Sequence, residues 1–164
     1  MAFDAFLKIE GTAGESTEAK HKEWIEVLSF SFGVSQPSSA ISAPRAGTVA
    51  EKATFSNFTI AKRLDKSSPV LMLMCASGQR IPSVTIEFQR PEGARLHISR
   101  IKMEDVLVSS VKPGGSARGA DVFPMEEVSL NFSKIEWTYT PQKEDGTQDL
   151  SVRGGWDLAG NIKF

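Results

Sequence analysis

Asp65-Lys66-Ser67-Ser68-Pro69-Val70-Leu71-Met72-Leu73-Met74-Cys75-Ala76-Ser77-Gly78 is one short helix written with its own start and stop. Ser68 is placed to accept a hydrogen bond from an amide of the first turn, as an N-cap does. Pro69 suits the first helical position, where its missing N–H costs nothing. Asp65 lies near the positive end of the helix dipole. Gly78 can take the left-handed conformation that closes a helix. On either side the chain reads as strands, so the expectation is a mainly β protein with a single flanking helix.

The strands announce themselves by alternation. Ala5, Leu7 and Ile9 alternate with polar neighbours, and Val84, Ile86 and Phe88 alternate with Thr85, Glu87 and Gln89. In the segment Trp24 to Gly33, Trp24, Leu28, Phe30 and Phe32 share one face. Ile25, Val27, Ser29 and Ser31 share the other, so its second half sets aromatics against hydroxyls. Two later strands slip by one residue. Leu96 and Ile98 are even where Ile101 and Met103 are odd, and Val128, Leu130 and Phe132 are even where Ile135, Trp137 and Tyr139 are odd. Bulges near Ser99 or Arg100 and near Ser133 or Lys134 would reconcile them. Bulges bend strands, as a barrel requires. The expected architecture is a two-sheet β-barrel with one short flanking α-helix and a long extended loop. That loop, Gln36 to Lys52, is rich in Ser, Ala, Pro and Gly; a loop of such length in a compact domain is functional or disordered, and the composition fits a plain surface loop and an arm that becomes ordered on a partner equally.

With 164 residues and neither an internal repeat nor a composition break, the chain reads as one domain over residues 1–164. Nineteen Lys and Arg against twenty Asp and Glu leave a net charge of -1, which gives no pull toward nucleic acid or an anionic membrane. No stretch approaches the roughly 20 apolar residues of a membrane-inserted span. The start, Met1-Ala2-Phe3-Asp4, has an acid where a signal peptide carries its basic region.

Catalytic patterns are missing. Cys75 is the only cysteine and reads as a packing residue, and His21 and His97 are the only histidines. No zinc-ligand spacing, nucleophile elbow or Walker loop appears, and no cofactor or metal is expected. The turn Pro113 to Gly119, flanked by Lys112 and Arg118, reads as a plain hairpin tip. The acidic pairs Glu104–Asp105 and Glu126–Glu127 are strand neighbours that point to opposite faces, and both read as solvated edges.

Four stretches resemble the haemolysin-coregulated protein family, whose members form the tube of the type VI secretion system. They are Gly14-Glu15-Ser16 with His21 and Ile25 to Gln36; Thr59 to Leu71 with Lys62 and Asp65 to Pro69; Val106 to Gly115; and Glu127 to Pro141 closing with Gly155, Trp156, Asp157 and Asn161. The resemblance implies a hexameric ring that stacks into a hollow tube. The partners it implies are further copies of the chain, a spike protein at the tip, a surrounding sheath and small effector proteins in the lumen. It also implies export from a bacterial cytoplasm through a contractile apparatus without a signal peptide. Some relatives carry fused enzyme domains, and with so few residues after Trp156 none is expected here.

A tube wants an inner face free of large apolar patches. Ser29 and Ser31, opposite Phe30 and Phe32, are candidates for that lining, as are Ser129, Asn131 and Ser133, opposite Val128, Leu130 and Phe132. A closed ring joins two different patches on neighbouring copies. Within the long loop, Gln36, Pro37, Ile41, Pro44, Arg45 and Val49 are the candidate subunit contacts. Trp156 reads as a packed indole on a closing strand. Two other readings compete: a monomeric small-ligand-binding barrel, which needs an enlarged apolar interior, and an enzyme, which needs a nucleophile–base pair.

Overall fold

The computed structural model describes residues 3–37, 52–90, 97–120 and 122–164. The long loop's Ile41, Pro44, Arg45 and Val49 lie outside them. Gln36 and Pro37 are described, just past a short two-stranded ladder of β4 (Val34–Ser35) and β5 (Thr54–Phe55).

Ten strands form one sheet that folds over on itself. β8 (His97–Gly114), eighteen residues long, belongs to both halves. One edge pairs with β7 (Arg80–Gln89), which continues to β1 (Asp4–Ile9) and β2 (Ile25–Val27). The other edge pairs first with β10 (Lys134–Tyr139), then with β9 (Met125–Asn131). β10 leads outward to β11 (Val152–Asp157) and β12 (Ile162–Lys163), while β9 leads to β6 (Phe58–Arg63) and β3 (Ser29–Ser31). No ladder joins β2 to β3, so the hydrogen-bonded sheet does not close; the chain itself makes the link at Leu28, whose amide donates to the Ala61 carbonyl at 2.8 Å.

That link changes the reading of the segment from Trp24 to Gly33. Before it Ile25 and Val27 point into the core; after it Phe30 and Phe32 do. The segment is two strands with a face change at Leu28, not one strand of mixed character. The two parity slips resolve differently. The first is a bulge at Ile98: Phe88 pairs with Ser99 and Gln89 with His97, one residue from the expected position. The second is a corner without an inserted residue. Leu107 faces Asn131 and Glu104 faces Lys134 in one unbroken count, and both strands turn over between them. Asp105 there adopts φ 51°, and the Ser133 hydroxyl donates to its carboxylate at 2.6 Å.

The helix α1 (Ser68–Ser77) joins the Arg63 end of β6 to the Arg80 end of β7 and drives Leu71 and Met74 into the core. Gly78 closes it at φ 68°, and the Gly78 and Gln79 amides reach the Cys75 and Met74 carbonyls at 3.3 and 3.2 Å. The start differs from expectation. Ser67 occupies the cap position and Ser68 makes no cap bond. The Ser68 hydroxyl serves a buried ion pair instead. The space between the two halves of the sheet is filled by Leu7, Ile25, Phe58, Ile60, Val84, Ile86, Met103, Val128 and Leu130. Trp156 packs half-buried against this core from β11, with β12 outside it.

Candidate functional site

β3, β6, β9 and the second half of β8 turn their outer faces the same way, and the ladder register aligns their small polar side chains. Ser31 pairs with Thr59, Thr59 with Ser129, and Ser129 with Ser110. The result is a row of four hydroxyls across four strands. The period of two that buries Phe58, Ile60, Val128 and Leu130 and packs Phe30 against them presents their neighbours outward. The hydroxyls of Thr59 and Ser129 lie 3.1 Å apart, and Ser109 donates to the Ser129 carbonyl at 3.0 Å. Ser29 and Ser31 are exposed at one side of the row. The adjacent row runs Ser29, Ala61, Glu127, Lys112.

Of the five lining candidates, Ser29, Ser31 and Asn131 stand exposed on this face, while Ser129 shares its register but is buried. Ser133 lies beyond the corner, half-buried against Asp105, and is separated from them. Thr59 and Ser110 were not singled out from the sequence. Thr59 carried a usable signal in its alternation with Phe58 and Ile60. Ser110 did not, because the register shift at Ser109 decides which of two adjacent serines joins the row.

Behind the face lies a charge pair that contradicts the reading of Glu126 as a solvated edge. Lys62 and Glu126 have fully buried side chains 2.6 Å apart and sit directly opposite each other in the β6–β9 ladder. Lys62 Nζ also donates to Asp65 Oδ1 at 3.0 Å, to Ser68 Oγ at 3.1 Å and to the Arg63 carbonyl at 3.0 Å. Ser68 Oγ donates to Glu126 Oε1 at 2.9 Å and accepts from the Asp65 amide at 3.1 Å. Asp65 accepts from the Ser67 amide at 2.9 Å and from its hydroxyl. The sequence motif Asp65 to Pro69 is therefore a socket for a lysine as much as a helix start. Glu104 and Asp105, by contrast, are solvent-exposed at 43 and 54%.

A second buried cluster closes the loop between β1 and β2. The His21 ring is buried, stacked on Phe6 at 4.4 Å and met edge-on by Trp24 at 4.7 Å. Its Nδ1 lies 2.6 Å from Glu18 and its Nε2 2.8 Å from Glu87, which Arg100 also holds. Both ring nitrogens face carboxylates, so His21 is a strut between loop and barrel. Burial pushes the Glu18 carboxyl up, but the His21 ring, the Lys20 and His21 amides and the His21 charge together outweigh it and hold it below its ordinary value. A carboxyl depressed on folding adds stability above its unfolded value, and that stability is lost as pH falls through the folded value. Denaturant midpoints taken at descending pH will therefore fall more steeply for the native chain than for Glu18→Gln through the acidic carboxylate range. Parallel curves would remove Glu18 from the strut.

At the mouth opposite α1, Phe3, Phe30, Phe32, Phe88, Ile101 and Trp137 border an open hollow of about 450 Å³. Among the described residues no group of three or more His, Cys, Asp or Glu is placed to hold a metal ion.

A family model described as "Type VI secretion system effector, Hcp" matches residues 6–139. The chain is 37% identical over 165 residues to "Protein hcp1" of Pseudomonas aeruginosa, spanning 99% of both chains. It is 27% identical over 173 residues to the "Major exported protein" of the same organism, spanning 91% of this chain and 96% of that one. Among solved structures it superposes on a type six secretion system protein with a TM-score of 0.92 at 32% identity, covering 99% of this chain and all of the other. Hcp1 from Salmonella typhimurium follows with a TM-score of 0.81 at 32% identity, each chain covered in full.

Proposed function

The chain belongs to the Hcp family of type VI secretion proteins, and from that premise we propose that it is a non-catalytic tube subunit: six copies close a ring, rings stack, and the lumen carries small effector proteins. The tube meets a spike at its tip and a sheath around it, and leaves the cytoplasm through that apparatus. One observation carries the reading. The outer face of β3, β6, β9 and the second half of β8 sets short hydroxyl side chains in register, Ser31 exposed, Thr59 and Ser110 half-buried and Ser129 buried, which fits a conduit wall that touches cargo without gripping it. The opposite side of the same strands is the hydrophobic core, so the polarity belongs to the wall and not to a weakly packed sheet. Gln36 and Pro37, with Ile41, Pro44, Arg45 and Val49 further along the loop, supply contacts to the neighbouring copy.

Light scattering after size exclusion, over a dilution series, should give six times the monomer mass. In that assembly Ser31→Cys should react slowly with a maleimide on a polymer too wide for the lumen, and rapidly with a small maleimide. A Leu73→Cys control on the exposed side of α1 tests general reactivity. A monomer at every concentration, or equal rates for both reagents at Ser31→Cys, overturns the reading.

A further inference from the structure

Beside the Leu28 link, between the loop that precedes β2, the end of β6 and the turn that leads into β9, lies a hollow of about 260 Å³. Its lining mixes two chemistries. Leu28 and Phe123 border it with 47 and 57% of their surface exposed, and Leu64 is half-buried beside them. Glu15, Glu26 and Asp65 bring three carboxylates against one guanidinium, that of Arg63. Asp65 already holds the buried Lys62 ammonium. Glu15 and Glu26 are exposed and have no ion-pair partner among the described residues. Exposed apolar side chains next to unpaired carboxylates suit a partner with a long aliphatic stem and a cationic end.

We propose that this hollow receives Arg45 from the long loop of a neighbouring copy, its stem over Leu28 and Phe123 and its guanidinium facing Glu15 and Glu26. This rests on the ring reading of the preceding subsection and names the surface on which the loop lands. Charge selects the occupant. From Ser38 to Glu51, the stretch of the loop outside the described residues, Arg45 is the only cation. It stands between Pro44 and Ala46, whose small side chains leave the long one free to enter a narrow opening. Phe123 also offers a ring face, on which a guanidinium stacks better than an ammonium.

Direction selects the copy. The loop leaves the barrel past the β4–β5 ladder, next to the Phe58 end of β6, whereas the hollow sits at the Arg63 end of that strand, about 20 Å away. Each copy therefore carries the loop on one side and the receiving hollow on the other, the two unlike patches that a closed ring joins. The stretch from Ser38 to Glu51, doubled back on itself, reaches about 23 Å, enough to cross to the next copy.

The test uses the full-length chain and light scattering after size exclusion over a dilution series. Arg45→Glu and Glu26→Arg should each raise the concentration at which rings half-dissociate by at least about tenfold. Glu26 is exposed on β2, so its replacement leaves the core untouched. The charge swap, Arg45→Glu with Glu26→Arg, should return to within about threefold of the native chain. A second readout identifies which copy supplies the arginine. With Cys75→Ser removing the chain's own thiol, Arg45→Cys with Glu26→Cys should on oxidation give a ladder of linked copies up to the hexamer on a non-reducing gel. Native ring stability in both single variants, no recovery in the charge swap, or cross-linking only within single chains overturns the proposal, and a native chain of hexamer mass then leaves the tube reading standing. A native chain that never forms rings overturns both.

Discussion

Replacing Lys62 with Met should destabilise the protein by about 3–5 kcal/mol, the usual cost of removing one member of a buried ion pair. Against a total stability on the order of 5–15 kcal/mol, that is enough to leave much of the chain unfolded at moderate urea. The cost comes from what stays behind. Glu126 would keep its full burial without its cation, and its Oε2 already has no hydrogen-bond partner. Ser68, Asp65 and the Arg63 carbonyl would each lose a donor as well. The double variant Lys62→Met with Glu126→Leu should recover most of the loss, because an apolar pair of similar volume avoids the desolvation of both charges. Urea midpoints at one fixed protein concentration measure both, since assembly makes stability concentration-dependent. A single variant within about 1 kcal/mol of the native chain would mean that water reaches the pair.

If the double variant is as stable as the native chain, stability is not why the pair exists, and register becomes the natural explanation. Lys62 and Glu126 are direct partners in the β6–β9 ladder. A one-residue slip would turn each strand's buried set outward. It would also move Thr59 away from Ser129 and break the hydroxyl row. The double variant should then fold, yet show a less well defined β6–β9 register by amide hydrogen exchange, which separates specificity from stability.

The sequence disclosed whatever depends on local periodicity. Alternation in Ser29 to Phe32 and in Val128 to Asn131 separated the two faces of each strand, because strand side chains alternate with a period of two whatever the partner strand. The bulge at Ile98 was legible for the same reason. What escaped depends on which strand lies next to which. Ser133 continues the alternation of β9 on paper, but the corner with Asp105 breaks it, and no local residue announces a corner made by two strands at once. Glu126 read as a solvated edge because, paired only with its strand neighbour Glu127 on the opposite face, it had no visible partner. Yet Lys62 continues the parity of Phe58 and Ile60, and Glu126 that of Val128 and Leu130, so both charges stood on core faces all along. A charged residue in phase with a buried stripe is a signal that a partner of opposite sign stands in phase on another strand. His21 offered no such hint, since Glu87 lies 66 residues away.

The second large effect is expected at Gly14. An alanine there should cost roughly 3 kcal/mol, combining a forced backbone shift with lost hydrogen bonds. A Cβ on Gly14 would lie 2.4 Å from the Trp24 carbonyl oxygen, 2.6 Å from its carbon and 2.7 Å from the Ile25 Cα. All three are backbone atoms, so no side chain can swing away. The strand or the loop must move, and the loop is the softer of the two. Moving it pulls on the Gly14 amide bond to Glu23 at 2.7 Å and on the Ser16 amide bond to Trp24 at 3.0 Å. It also draws Glu18 and His21 away from Glu87, so the strut that ties the loop to β7 is lost with the turn. Gly33→Ala is the matched control, because its added Cβ meets only the Ser56 hydroxyl at 3.9 Å, and it should stay within about 1 kcal/mol of the native chain. Equal urea midpoints for the two variants would show that the loop yields freely. Midpoints separated as expected, with Gly14→Ala losing the acid-dependent stability assigned to Glu18, would establish that the turn and the histidine strut act as one closure.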